Sequence, residues 1–256
     1  MSQPVSLDVA DDVATVTVDR EEKLNALDPA TLDALQARIE EAERRDARVL
    51  ILTGAGDEAF IAGADIAKMK DFSPEEALAY AERGHAVVDA VASYPGPAIA
   101  AINGYAFGGG TEIALACDLR IASERAVLGQ TEIELGIIPG WGGTQRLPTL
   151  VGDETARRLI FFGDRVDASD AHELGLVGEV VAHETLDEHV RELAEELAAK
   201  PHLALAAAKE ALNEYHEAPL SVGLDFERRT WSSLFGTHDQ REGMSAFLED
   251  REPDFE

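Results

Sequence analysis

The chain has 256 residues, 45% of them hydrophobic, which is enough to bury a core in one large domain or two small ones. Its 50 acidic residues outnumber 22 basic ones and leave a net charge of −28. That balance excludes nucleic acid as a partner, because binding a polyanion depends on lysines and arginines that release its counterions. A single cysteine, Cys117, excludes an internal disulfide framework and fits a reducing compartment. Met1 to Asp8 shows neither a basic nor an apolar leader region, and the apolar runs fall far short of the roughly 20 residues of a membrane span. A cytoplasmic protein with no membrane partner is expected. One uncompensated negative charge per about nine residues would suit a disordered chain, but the apolar content and periodicity point to a folded one. High salt would screen such a surface, so the composition predicts a halophilic protein.

Val5 to Val9 and Val13 to Val18 alternate apolar and polar residues around Asp11-Asp12, which predicts a β-hairpin. Asp28-Pro29 starts a helix, with Asp as N-cap and Pro in the first turn, and Leu32, Leu35 and Ile39 then share one face. Val49 to Thr53 reads as a buried strand. Ser73-Pro-Glu-Glu76 is a capping box for a helix reaching about Val91. Ala98 to Ile102 is the next strand and runs into a glycine cluster. Strands alternating with helices predict an α/β fold with mainly parallel pairing. Beyond about Thr185 the pattern becomes helical, in segments near 185–200, 202–215, 219–235 and 239–250, punctuated by Pro201 and Gly236.

The densest chemistry lies between Ile61 and Gln145. Gly108-Gly-Gly110 followed by Thr111-Glu-Ile-Ala-Leu-Ala116 reads as a turn opening into a helix. Its glycines admit unusual dihedrals and close approach, and the first turn offers unpaired N–H groups with a partial positive charge. Taken alone, such a cluster is more often a packing loop. Ile61-Ala-Gly-Ala-Asp-Ile66 alone is a small-residue loop, and Glu112 and Glu132 alone are two glutamates among 50 acidic residues.

The ordered set is more specific. Ile61 to Ile66, Asn103 to Glu112, Gly129-Gln-Thr-Glu132 and Gly136-Ile-Ile-Pro-Gly-Trp-Gly-Gly-Thr-Gln145 together resemble the enoyl-CoA hydratase/isomerase (crotonase) superfamily, in its hydratase branch. The likeness runs from about Lys23 to Phe255. It implies a spiral of ββα units over 1–195 that carries the active site. It also implies a helical region over 196–256 that joins subunits into a homotrimer or a dimer of trimers. The implied reaction is reversible addition of water to the 2,3 double bond of a 2-enoyl-CoA, giving a 3-hydroxyacyl-CoA, with no cofactor and no metal beyond the acyl-CoA thioester itself. The resemblance places catalytic acid–base roles on Glu112 and Glu132, and oxyanion-hole N–H donors on Ala64 and Gly109. It places CoA and substrate contacts on Lys23, Asn25, Ala26, Ala62, Asp65, Ile66 and Lys68, with Gly140 near the water. Trp141 is expected either in the acyl pocket or in the core or a subunit interface. Relatives frequently carry proline at the position of Thr131 and cysteine or another small residue at that of Thr111. Both departures leave the glutamates in register and bear on acyl preference.

Other readings are weaker. Gly54-Ala-Gly-Asp-Glu-Ala59 fits a dinucleotide fingerprint, but Asp57 and Glu58 would face the pyrophosphate and Gly63 interrupts the required helix. The seven histidines show no metal spacing, and no G-x-S-x-G elbow occurs. Among enzymes the alternatives are an enoyl-CoA isomerase, whose relatives commonly lack one glutamate, or a specialised 3-hydroxyacyl-CoA dehydratase. A non-catalytic, RNA-binding member of the superfamily conflicts with the acidic surface and the intact glutamate pair.

Overall fold

A computed structural model describes residues 3–256. The hairpin forms as expected, from β1 (Val5–Ala10) and β2 (Val13–Val18). The tight turn uses Asp11 and Asp12, both at positive φ, which aspartate tolerates better than most residues. α1 (Pro29–Arg44) is capped by Asp28, whose side chain accepts from the Thr31 N–H at 2.9 Å. Next come β3 (Val49–Gly54), β4 (Ala59–Ile61), the single turn α2 (Ile66–Met69) and α3 (Pro74–Ala92), which has both halves of the Ser73–Glu76 capping box. β5 (Ala98–Ile102), β6 (Tyr105–Phe107) and α4 (Gly109–Ala116) follow, then β7 (Leu119–Ser123), β8 (Val127–Gly129) and α5 (Gly143–Val151).

Three successive units therefore repeat one plan. A longer strand enters a six-stranded sheet ordered β1-β2-β3-β5-β7-β10, a short strand enters a four-stranded sheet ordered β4-β6-β8-β9, and a helix closes the turn. Within each sheet the repeated strands pair in parallel. This is the expected spiral of ββα turns. α6 (Asp153–Phe162), β9 (Arg165–Asp167), α7 (Ala168–Glu173) and β10 (Glu179–Val181) complete both sheets. The dinucleotide reading fails here as well, since Gly54–Gly56 leads into a strand and not into a helix.

Both faces of the large sheet are covered, which is why its central strands read as unbroken apolar runs. Leu50, Leu52, Ala100 and Ile102 face the main core with α1 and α3. Val49, Ile51, Ile99 and Ala101 face α8 (Leu186–Ala198), which presents Leu186, Val190, Ala194 and Ala198 at intervals of one turn. The expected boundary at 195/196 thus falls inside α8, which stays on the sheet as far as Ala198. Departure from the sheet comes at Pro201, with α9 (His202–Glu217), α10 (Leu220–Ser233) and α11 (His238–Glu249).

Candidate active site

The short strands β4, β6 and β8 end side by side, and the segments leaving them carry the predicted site. After β6, Gly108 adopts φ 50° and ψ −120°, a combination that residues with a Cβ avoid, and its N–H donates to Gly129 O at 2.9 Å. The next two glycines are there for space. A Cβ on Gly109 would lie 2.1 Å from the Trp141 ring, and one on Gly110 would lie 1.9 Å from Ile61 O. α4 therefore begins flush against β4, and its first turn brings Glu112 into the interior, 2% exposed.

Glu112 is then gripped from the loop before α5. Its Oε1 accepts the N–H groups of Trp141 and Gly143, each at 2.7 Å. Gly143 is the first residue of α5, so the carboxylate also sits at a helix N-terminus. Burial pushes the Glu112 carboxyl above the ordinary carboxylate range, while N–H groups of Gly143, Trp141 and Gly140 pull against that shift. Glu132 begins the turn after β8 and is 9% exposed. Burial, with the Glu112 charge adding to it, raises its pKa to about 7. Its Oε2 is buried with no hydrogen-bond partner among the described residues, and its Oε1 lies 3.1 Å from where a Gly108 Cβ would stand.

The Ala62–Asp65 loop is fixed by the segment that begins at Lys23. Ala62 N–H donates to Leu24 O at 3.0 Å, Leu27 N–H to Gly63 O at 2.8 Å and Asp65 N–H to Leu27 O at 2.7 Å. This ladder bypasses the Ala64 N–H. No acceptor among the described residues takes it, and the same holds for the Gly109 N–H in the open first turn of α4.

Glu112, Glu132, Ala64, Gly109, Ala62, Ile66, Gly140 and Trp141 line one cavity of about 650 Å³. The remaining predicted contacts do not line it. Asn25 is fully buried and acts as a strut: it donates to Ala55 O and Ala59 O and accepts from Arg20 N–H, leaving no group for a ligand. Asp65 takes Lys23 Nζ at 2.9 Å and Arg20 Nη2 at 3.3 Å, and the Lys23 bond holds its carboxyl below the usual range. Ala26 gives its carbonyl to Arg20. Lys68 is exposed on α2 away from the cavity wall, and Lys70, two residues on, is the lysine that reaches it. A larger groove of about 810 Å³ lies beside α8, lined by Thr15, Thr17, Thr53 and His183 among others, and it holds none of the predicted residues.

A family profile described as enoyl-CoA hydratase/isomerase matches residues 8–256. The chain belongs to that family. It is similar to the crotonyl-CoA hydratase of Syntrophomonas wolfei, at 39% identity with 98% of this chain and 97% of that protein covered. It is 42% identical to the short-chain-enoyl-CoA hydratase of Clostridium acetobutylicum, over 93% of this chain and 92% of the relative. The crystal structure of an enoyl-CoA hydratase from Bacillus anthracis superimposes with a TM-score of 0.94 at 42% identity, covering 99% of each chain.

Sequence reasoning passed over several residues that line this cavity. Tyr80 and Phe72 form its aromatic wall with Trp141, and Leu135, Ile137 and Ile138 form an apolar rim. Tyr80 carried a usable signal, because it falls on the buried face of α3 with Val87, Val88 and Val91. The rim residues did not, since their spacing follows an irregular loop. No helix among the described residues is long and apolar enough to cross a membrane, and no cluster of three or more His, Cys, Asp or Glu side chains could hold a metal ion.

Proposed function

We propose that the chain is a hydro-lyase that adds water reversibly across the 2,3 double bond of a 2-enoyl-CoA thioester to give the 3-hydroxyacyl-CoA. The observation that carries this reading is the meeting, in one cavity, of two buried carboxylates in unlike surroundings with two unpaired peptide N–H groups. Glu112, held by backbone donors as an acceptor, orients water and takes its proton as the oxygen attacks C3. Glu132, with a pKa raised to about 7 and an unpartnered oxygen, delivers a proton to C2. One proton enters the pair and one leaves it, so its total charge is unchanged. The N–H groups of Ala64 and Gly109 take the thioester oxygen as the enolate forms. No electrons are transferred, so the step needs no redox cofactor. Isomerisation of a 3-enoyl-CoA would need only one proton shuttle, and the second buried carboxylate favours hydration.

Lys70 at the cavity edge is the cation best placed for the CoA phosphates, in place of Lys23. Leu212, Leu220, Trp231, Phe247 and Leu248 on α9 to α11 are each more than half exposed, which supports assembly through these helices into a trimer or a dimer of trimers. The direct test is hydration of 2-butenoyl-CoA, followed by loss of the conjugated enoyl absorbance and by chromatography of the 3-hydroxy product. In Ala64→Pro the proposed donor is gone. Its turnover should fall about 10²–10³-fold with circular dichroism and oligomer size unchanged. A correctly assembled variant that turns over normally removes Ala64 from the oxyanion hole.

A further inference from the structure

The cavity holding the two glutamates is closed at its buried end by rings and open along its apolar rim. Trp141 is 4% exposed and forms part of the buried end. Its indole is wedged between two helices: a Cβ on Gly84 of α3 or on Gly109 of α4 would stand 2.1 Å from ring atoms. Tyr80 meets it edge-on with ring centroids 5.6 Å apart, and Phe72 meets Tyr80 in the same way, also at 5.6 Å. The Tyr80 hydroxyl donates to Leu27 O at 2.7 Å, in the segment that clamps the Ala64 loop. The indole cannot turn without displacing the α3 and α4 backbone on either side of it, and close-packed interiors resist that. The apolar rim differs, with Leu135, Ile137 and Ile138 at 53%, 42% and 65% exposure.

We infer that Trp141 sets the acyl-length limit of this site and selects short acyl groups, of about four to six carbons. The inference rests on the hydratase reading for the placement of substrate. The Trp141 backbone N–H donates to Glu112 Oε1 at 2.7 Å, and the Trp141 ring lies against Gly109, the proposed thioester-oxygen donor. C2 and C3 must lie between those groups, so the carbons beyond C3 meet the indole within a bond or two. A longer chain either displaces the ring or leaves over the wet rim. In a fitting apolar pocket each added methylene raises affinity about fourfold, and a chain turned out over the rim forgoes that gain.

The test is calorimetric titration of butanoyl-, octanoyl- and decanoyl-CoA into the wild type, Trp141→Ala and Trp141→Phe, with rates on the matching 2-enoyl-CoAs. Wild-type affinity should not rise with chain length. Trp141→Ala should raise the octanoyl-to-butanoyl affinity ratio at least about 10-fold, and Trp141→Phe should fall between. A wild type that binds decanoyl-CoA progressively more tightly than butanoyl-CoA overturns the inference, as does an unchanged ratio in the variants. If Trp141→Ala fails to fold, the graded shift in Trp141→Phe decides, and a wild-type ratio there counts against it. Length-limited binding without hydration of any enoyl-CoA would overturn the hydratase reading and leave the length limit standing. Absence of binding by every acyl-CoA overturns both.

Discussion

Glu112 and Glu132 differ less in burial than in what surrounds them. The first accepts two backbone N–H groups at 2.7 Å, and the second keeps an oxygen with no partner among the described residues. Glu112→Gln and Glu132→Gln nearly preserve shape while removing proton handling. Each should lower kcat at least about 10²-fold with little change in KM. The double variant should lose much less than the product of the two, because the pair acts as a unit, and near-normal turnover in either single variant excludes that residue. The pH dependence follows from Glu132, whose pKa stands at about 7 against an ordinary 4.5. Above about 7 it loses the proton that C2 must receive, so kcat/KM for hydration should decline through that pH, and a flat profile from 6 to 8 would count against its role as acid. The stability consequence has the opposite sense from that of a paired carboxylate. Between pH 4.5 and about 7 the folded state binds the proton more tightly than the unfolded chain, so stability falls as pH rises through this window and then levels off. Glu132→Gln should abolish that slope and be more stable than the wild type at pH 8, by on the order of 2–3 kcal/mol. Thermal unfolding of both proteins at pH 5 and 8 checks it.

Among the elements, α9 is tied to the spiral by a buried cation. Lys209, 8% exposed, places Nζ 2.8 Å from Asp118 Oδ2, 3.0 Å from Gly96 O and 3.4 Å from Val91 O, so all three of its protons are used. Asp118 also accepts the Ala98 N–H at 2.7 Å, which links α9 to the start of β5. Lys209→Met should destabilise the fold by about 2–4 kcal/mol in urea at fixed protein concentration, somewhat below the cost of breaking a fully buried pair because the Asp118 side chain stays 29% exposed. A loss under about 0.5 kcal/mol would mean that α9 docks without it. Elements of this size were legible in the sequence where a local rule governs them. The Asp11-Asp12 turn, the Asp28 and Ser73 caps and the four C-terminal helices all lie where periodicity and capping chemistry placed them. The three-residue strands β4, β6 and β8 were not legible, since such a length shows no period, and the ββα repeat they belong to was reached only through family likeness. α5 carries Pro148 in its interior, which argues locally against a helix. At the site the glutamates and glycines line one cavity, whereas Lys23 and Asn25, expected at the ligand, stand outside its lining. Their partners Asp65, Ala55 and Ala59 are about 30 to 42 residues away, and with left-handed backbone at Leu24 and Asn25 the Asn25 side chain is buried while Lys23 stays exposed.

For the molecule as a whole, charge and association pull against each other. The net charge is −28, and the 22 basic residues are 17 arginines and five lysines. One of those lysines is buried in the α9 tie and another is engaged by Asp65, which leaves three lysines otherwise placed. Assembly through the apolar faces of α9 to α11 would bring such surfaces together, with hydrophobic burial favouring contact and like charge opposing it. Salt decides the balance. The Debye length shortens from about 10 Å at 0.1 M to about 3 Å at 1 M, which removes repulsion beyond immediate neighbours while leaving apolar burial intact or strengthened. The CoA phosphates face the same barrier on approach, so low salt should raise KM as well as favour dissociation. An oligomer assembled through these helices should therefore hold in roughly molar KCl and should dissociate and lose activity when dialysed to 0.1 M. Sedimentation velocity and initial rates across one salt series measure both quantities on the same protein. If dissociation and KM move together, screening accounts for both. A rise in KM with the oligomer intact would confine the effect to substrate approach. Undiminished activity and an intact oligomer at 0.1 M would leave the acidic composition without this role, and the assignments of Glu112 and Glu132 would be unaffected, because both are buried away from the surface that salt screens.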